Sequence, residues 1–192
     1  AMAKQGQADR FHQGTMTDGW RWFGAHPAKK RGREGWTFRV WAPHAEAVSV
    51  IGDFNDWQEG AAPLTRKGEI WEGFLPDLPV YTSYKYAVWG ADGQVRRKAD
   101  PYGFHTETRP ATASKLYDIE GFQWTDAAFR ERKAKHPVYT SPLNIYEVHL
   151  GSWKKRDNGD FIDYRDLARE LAAYVKDMGY TAIELLPVTE HP

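Results

Sequence analysis

The order of apolar and polar residues divides the chain into stretches with different periodicities. Residues 1–34 are mostly polar, and the basic run at 29–33 predicts a solvated loop ahead of the first strand. From 35 to 120, short β-branched and aromatic runs alternate with turn-forming residues. The predicted strands are residues 37–41, 47–51, 70–75 and 83–89. This spacing is typical of an immunoglobulin-like antiparallel β-sandwich, so the chain is expected to be mostly β.

The pattern changes in residues 121–142, which are predicted to form a linker. A charged segment at 126–135 is a short helix candidate. Pro137 and Pro142 follow it and favour an extended backbone, because proline fixes φ and restricts the residue before it.

Residues 143–192 predict one strand-helix-strand unit. The strands are expected at 143–150 and 181–186, and their apolar character is typical of a buried parallel sheet. Between them, apolar residues recur at spacings of three and four from Tyr164 to Met178, which indicates an amphipathic helix. Two parallel strands need further elements to cover them, so we expect the sequence to be truncated, or this unit to pack on something else.

Composition indicates a folded domain with a neutral ligand. Hydrophobic residues make up 41% and charged residues 27% of the 192 residues, which is ordinary globular usage. The 26 basic and 26 acidic residues leave no net charge to attract nucleic acid or an anionic membrane. Aromatic residues reach 15%, with nine Trp and ten Tyr, so we expect some of these rings to serve binding.

The absence of cysteine excludes disulfides and thiolate chemistry and fits a cytoplasmic location. No signal-peptide segment and no long apolar run is visible. The seven histidines lack metal-ligand spacing, so no metal or other cofactor is expected. Ala1 and Met2 are interpreted as a remnant of tag removal.

Four segments, in order, resemble the N-terminal part of bacterial glycogen branching enzymes. They are FHQGT with FGAHP at 11–15 and 23–27; FRVWAP with VSVIGDFNDW at 38–43 and 48–57; KADPY with RPATAS at 98–102 and 109–114; and YEVHLGSW with GYTAIELLPVTEHP at 146–153 and 179–192. The resemblance spans almost the whole chain. It implies a glycogen-binding sandwich followed by an incomplete first βαβ unit of a (β/α)₈ barrel of the α-amylase family.

Such enzymes transfer α-1,4-glucan segments into α-1,6 branches in glycogen biosynthesis. The retaining reaction needs two carboxyl groups about 5 to 5.5 Å apart. In this family they lie on later barrel strands, so we assign no catalytic residue to this chain. Glu147 and Glu184 lie inside barrel strands and are expected to satisfy buried polar partners. Glu190 and His191 follow the second strand and are candidates for lining the substrate cleft.

The resemblance and strand alternation together predict an α-glucan-binding patch of Trp57, Lys85 and Trp89. Trp57 follows the GDFND turn and occupies the stacking position of the family. If Tyr84 and Tyr86 face the core, Lys85 and Trp89 face outward together. The sequence departs from related modules in one respect, because Val95 stands where a second Trp is usual. These rings could instead pack against the chain's own missing barrel.

Two alternatives remain open from the sequence. The chain could be a stand-alone glycan-binding or scaffold module, or it could belong to a debranching or trehalose-releasing relative. The partners expected in the leading interpretation are glycogen and maltooligosaccharides, with no nucleic acid and no membrane.

Overall fold

The chain folds into two units of different kinds in a computed structural model that describes residues 6–189. The first unit is Ala1–Phe122 and the second is Gln123–Pro192. The first is built from β-strands, and the second contains one parallel strand pair and most of the helical residues.

The first unit is an antiparallel β-sandwich. It begins with helix α1 at Gln7–His12. One sheet has the strand order β1-β2-β5-β4, and the other has β3-β6-β9-β8 with β7 also paired to β6. The strands are β1 Gly24–Lys30, β2 Arg33–Trp41, β3 Ala45–Gly52, β4 Thr65–Lys67, β5 Ile70–Pro76, β6 Ser83–Gly90, β7 Val95–Lys98, β8 His105–Thr106 and β9 Ser114–Lys115. All four predicted strands are present, and the mostly β fold is confirmed.

The sandwich core lies between the inner faces of the two sheets. Its buried members include Trp36, Phe38, Val48, Tyr84 and Tyr86. They alternate along β2, β3 and β6, as a strand with one face toward the core requires. Sheet packing therefore determines which face of β6 remains outside.

The prediction of a loop at 29–33 is wrong except at its central residues, 31 and 32. Lys29 and Lys30 end strand β1, Arg33 begins β2, and the two strands pair through Lys30 and Arg33. Arg31 and Gly32 form the connection with φ of 52° and 82°. Two consecutive residues with left-handed backbone conformations match the twist of a tight β-hairpin. This charged segment can therefore connect two paired strands.

The segment before β1 is held to the sandwich by aromatic contacts. Phe23 is fully buried. Its ring contacts Phe11 at 4.7 Å and stacks on Tyr102 at 5.1 Å between ring centroids. Phe11 also meets the edge of Trp41. Isolated aromatic residues in a polar stretch therefore join the first unit through tertiary contacts.

The second unit contains the predicted βαβ arrangement. Its elements are α2 Ala127–Lys135, β10 Ile145–Val148, α3 Leu150–Trp153, α4 Tyr164–Asp177 and β11 Ala182–Leu185. Strands β10 and β11 pair in parallel. Helix α4 is capped at its N-terminus by Asp163, whose carboxylate accepts hydrogen bonds from the N–H groups of Arg165 and Asp166. Leu167, Leu171 and Val175 form its buried stripe.

The expectation that both parallel strands are buried is wrong for the described residues. Val148 is buried, but Ile145 and Leu185 are 46% and 47% exposed. Glu147 and Glu184 are register partners and both are exposed, so the expected buried partners are also absent. The reason is that a sheet face becomes buried only when another layer packs on it, and residues 123–189 supply helix α4 as one such layer.

Candidate glycan-binding site

Strand β6 is anchored by a buried polar cluster on its inner face. Tyr84 and Tyr86 donate hydrogen bonds from their hydroxyls to Asp100 Oδ2, at 2.7 and 2.9 Å. Asp100 Oδ1 accepts the Tyr102 N–H at 2.8 Å, and Ser114 Oγ accepts the Asp100 N–H at 2.9 Å. Burial raises the pKa of Asp100, against the opposing effect of these hydrogen bonds. The cluster fixes which residues of β6 point inward.

The outer face of β6 carries Lys85 and Trp89, as the alternation predicts. Both side chains are half-buried. Lys85 pairs in register with Ile51 of β3, and Trp89 pairs with Ala47 of β3 and Val95 of β7. Register partners in an antiparallel sheet share a face, so the two predicted site residues lie on one surface.

The loop after β3 is shaped by a close backbone approach at Gly52. A Cβ atom at this position would lie 2.2 Å from the Ser83 carbonyl oxygen, which leaves room for glycine alone. Asn55 then closes the turn, because its Oδ1 accepts the Gly52 N–H at 2.9 Å and its Nδ2 donates to the Val50 carbonyl at 3.0 Å. The GDFN sequence thus forms one compact hydrogen-bonded turn.

Trp57 is held by this turn in a definite orientation. Its indole Nε1–H donates to Asp53 Oδ1 at 3.1 Å, and its backbone N–H donates to the Gly52 carbonyl at 3.0 Å. Asp56 and Trp57 both have left-handed backbones, with φ of 51° and 58°. This conformation costs roughly 1–2 kcal/mol for a residue with a Cβ. The ring is half-buried, so part of it remains available for contact.

The loop that follows Trp57 lies against the outer face of the β3-β6 sheet. The Gly60 N–H donates to Ser49 Oγ at 3.0 Å. Glu59 pairs with Arg97 of β7 at 2.9 Å. Ser49 and Arg97 are register partners of Ala87, so their side chains share its face with Lys85 and Trp89. Trp57 is therefore brought to the same side of the sheet as the other two residues.

The Lys85 ammonium group is oriented by a neighbouring loop. Its Nζ donates to Thr112 Oγ1 at 2.6 Å. Glu107 holds the same loop, because its carboxylate accepts the Ser83 hydroxyl at 3.1 Å and the Ala113 N–H at 2.9 Å. An ammonium group has three donors, and Thr112 occupies one of them.

Sequence reasoning missed the supporting residues Asp53, Glu59, Arg97 and Thr112. Asp53 could have been found from the sequence, because a side-chain acceptor four residues before a Trp can accept a hydrogen bond from its indole N–H. Thr112 and Arg97 are 27 and 38 residues from the groups that they contact. No local spacing predicts such pairs.

Comparisons with known proteins agree with this geometry. Residues 22–103 match carbohydrate-binding module 48, the isoamylase N-terminal domain. The 1,4-alpha-glucan branching enzyme GlgB of Halothermothrix orenii is 47% identical over 95% of this chain. The corresponding enzyme of Bacillus subtilis is 42% identical over the same share. The chain matches the N-terminal part of a 1,4-alpha-glucan branching enzyme.

The match covers a part of these branching enzymes. The chain spans about 29% of the length of each of these two relatives. Structures of more distant proteins share the fold. A protein described as an alpha amylase from Salmonella typhimurium aligns over 88% of this chain and 25% of its own, with a TM-score of 0.59 and 20% identity. GBS pullulanase SAP, solved in complex with maltotetraose, aligns over 88% of this chain and 24% of its own, with a TM-score of 0.59 and 18% identity.

The patch predicted from the sequence has one departure from related modules, at Val95. Val95 is the register partner of Trp89 and shares its face, so a Trp there would have enlarged the aromatic surface. The turn before it is closed by bonds to the Asp92 carboxylate. Asp92 accepts the Gln94 N–H at 3.1 Å and pairs with Arg96, and the Arg96 hydrogen bonds lower the pKa of Asp92 to about 2.

The remaining site expectations concern the second unit. Glu190 and His191, the predicted cleft-lining residues, lie outside the described residues. Among residues 6–189, no cluster of three or more His, Asp or Glu side chains is arranged to hold a metal ion. Within the same range, no helix is long and apolar enough to cross a bilayer.

Proposed function

We propose that the chain is the N-terminal part of a glycogen branching enzyme, which transfers α-1,4-glucan segments into α-1,6 branches with retention at the anomeric carbon. The observation that carries this proposal is 47% identity to a branching enzyme over 95% of the chain. An identity of this size over both units, rather than the sandwich alone, favours a branching enzyme over a debranching or trehalose-releasing relative.

Residues 35–120 act as the carbohydrate-binding module in this proposal. Residues 121–142 are the linker, and residues 143–192 supply the first strand, helix and strand of the catalytic barrel. A retaining transfer needs two opposed carboxyl groups at the carboxyl ends of barrel strands. Glu147 and Glu184 lie within β10 and β11, with both side chains exposed, and no catalytic role is assigned to them. Glu190 and His191 follow β11 and are proposed to line the substrate cleft.

The sandwich binds α-glucan through Trp57, Lys85 and Trp89. A glucan offers apolar C–H faces and a rim of hydroxyls, so it suits flat rings combined with a few hydrogen-bond donors. The Asp53 bond orients one ring, and the Thr112 contact orients the ammonium group. Preorganised groups lose little entropy on binding, which favours the affinity of this surface site.

The chain's chemistry fits a cytoplasmic enzyme without a cofactor. A chain that contains no cysteine suits a reducing compartment. Glycosyl exchange between neutral sugars needs carboxyl groups alone, so we propose no metal or organic cofactor.

Affinity electrophoresis in gels containing glycogen tests the binding role. The wild-type chain is expected to be retarded, Trp57→Ala to abolish the retardation, and Lys85→Met and Trp89→Ala to reduce it. Tyr139→Ala is the matched control, because this Tyr is fully exposed and belongs to the second unit. Unchanged mobility of the wild-type chain in glycogen would remove the proposed module function.

A further inference from the structure

A second groove lies along strand β1, which forms one edge of the other sheet. It consists of a hollow of about 690 Å³ and a smaller one of about 120 Å³. The two share Pro27 and Asp118 in their walls, so they are neighbouring parts of one depression, here named the edge groove. The larger hollow lies in the size range of about 300–1,000 Å³ that is usual for ligand pockets.

Aromatic side chains line the smaller end of the edge groove. Trp20, Phe104 and Tyr117 all contribute to its wall. Trp20 is 39% exposed, its ring meets the edge of Phe104 at 6.3 Å, and Arg21 lies over it at 4.4 Å from the ring centroid. Arg21 covers one face of this ring, so its other face is the one that can stack on the apolar face of a sugar.

The aromatic surface continues past Tyr117 to Tyr81. The two rings lie 5.7 Å apart, and His105 contacts both at 5.4 Å. Tyr81 is 55% exposed and has a φ of 69°, which is unfavourable for a residue with a bulky side chain. Its N–H donates to the Leu116 carbonyl at 2.7 Å, so the surrounding chain holds it in this conformation. Strained backbone conformations of this kind cluster at active sites and ligand-binding sites.

The charges of the edge groove favour a neutral ligand with hydroxyl groups. Its acidic wall residues are Glu34, Asp77, Asp118 and Glu120, and its cationic ones are Arg21 and Lys29. Lys29 pairs with Glu34 at 3.5 Å, and Arg33 pairs with Asp77. Carboxylates repel an anionic ligand but accept hydrogen bonds from sugar hydroxyls.

Asp118 is the carboxylate placed best for such a bond. It lines both hollows, and its Oδ1 accepts the Glu120 N–H at 3.0 Å, which orients the group. A carboxylate has about four acceptor positions, so one backbone bond leaves capacity for hydroxyls.

We infer that the edge groove is a second α-1,4-glucan site, on a different sheet from the Trp57 patch, in which Trp20 stacks on a glucose ring and Asp118 accepts hydrogen bonds from its hydroxyls. This inference rests on the proposed function, which supplies the glucan as the ligand. Two sites on one module hold a long polymer more tightly than either site alone, because binding at the second becomes intramolecular.

Isothermal titration calorimetry with maltoheptaose tests the edge groove on the 192-residue chain. The wild type is expected to bind two ligands per chain. Trp20→Ala and Trp57→Ala should each reduce this to one, and the double variant should abolish binding. Asp118→Ala, a change at an exposed carboxylate, should weaken the groove site by about 10- to 150-fold, the effect of one hydrogen bond to a charged group. Trp20→Phe keeps a stacking ring and should retain the second site.

The outcomes separate the edge groove from the patch. If Trp20→Ala leaves the stoichiometry and affinity unchanged while Trp57→Ala removes a site, the inference of a glucan site in the edge groove is overturned and the proposed function stands. If Trp20→Ala removes a site and Trp57→Ala does not, glucan binding in the edge groove is supported and glucan binding at the Trp57 patch is contradicted. Absence of any binding by the wild type would overturn both. Far-ultraviolet circular dichroism of each variant must match that of the wild type, which shows that the variant is folded. If Trp20→Ala is not folded, the affinity of Asp118→Ala decides whether the edge groove binds glucan.

Discussion

The Tyr86 hydroxyl donates a hydrogen bond of 2.9 Å to Asp100 Oδ2 inside the sandwich core, and both groups are buried. The same strand carries Lys85 and Trp89 on its opposite face. Because β6 can slip or rotate only by breaking this bond, a core hydrogen bond determines the orientation of the candidate glycan site. Burial raises the pKa of Tyr86, and the negative charge of Asp100 raises it further.

We predict that stability falls above pH 10 because of Tyr84 and Tyr86. Their pKa values are raised above the ordinary 10.0, so each tyrosine stays protonated in the folded state while it ionises in the unfolded state. The free energy of unfolding should therefore decrease as pH rises, by about 1.4 kcal/mol per pH unit for each tyrosine. Tyr86→Phe should roughly halve this slope and cost about 1–2 kcal/mol at pH 7.

Urea unfolding between pH 7 and 11, followed by near-ultraviolet circular dichroism, measures this slope. Tyr139→Phe is the matched control, because its side chain is fully exposed and should leave the slope as it is. An identical slope in wild type and Tyr86→Phe would contradict the buried hydrogen bond.

We predict acid sensitivity from Glu72 of strand β5. Burial alone would raise its pKa, but hydrogen bonds from Lys67 and Arg39 outweigh this and lower the pKa below 4.5. The lowered pKa contributes stability above pH 4.5, which is lost as the pH falls through the folded-state value. Glu72→Gln should reduce stability by about 1–2 kcal/mol at pH 7 and flatten the decline below pH 5.

Urea unfolding from pH 3 to 7 tests the role of Glu72. Glu34→Gln serves as the control, because Glu34 is 84% exposed and lies 3.5 Å from Lys29 in a surface pair. Surface pairs contribute little, so this variant should remain close to wild type. Equal acid slopes for wild type and Glu72→Gln would count against the prediction.

We predict that Gly52→Ala destabilises the first unit and disturbs Trp57. The new Cβ would lie 2.2 Å from the Ser83 carbonyl oxygen, so β3 and β6 must separate locally. Such overpacking costs about 1–3 kcal/mol. Gly121→Ala is the control, because no atom lies within 4 Å of its Cβ position.

Chemical denaturation and glycogen affinity electrophoresis should both respond to Gly52→Ala. The expected result is a lower midpoint and weaker retardation, since the turn that holds Trp57 begins at this glycine. A Gly52→Ala variant as stable as Gly121→Ala would show that the backbone contact is looser than described.

We predict that the 192-residue chain alone does not branch amylose. Glycosyl transfer requires two opposed carboxyl groups, and we assign neither to this chain. The absorbance of the amylose–iodine complex should stay constant with the purified chain and fall with a complete branching enzyme as positive control. A measurable fall caused by the chain alone would refute this division of roles.

Local patterns in the sequence predicted much of the fold. The period of two along 83–89 correctly separates inward Tyr84 and Tyr86 from outward Lys85, and the stripe at Leu167 and Leu171 correctly predicts helix α4. These features depend on neighbours a few residues away, and a strand or helix repeats them along its own length.

Tertiary structure decided what those patterns leave open. Strand β1, the burial of Phe23 and the exposure of Ile145 follow from which elements pack together. The Lys85 contact with Thr112 joins residues 27 positions apart. Sheet register and loop packing determine such contacts, because a side chain's neighbours across a sheet are set by how distant strands pair and not by the residues beside it in the chain.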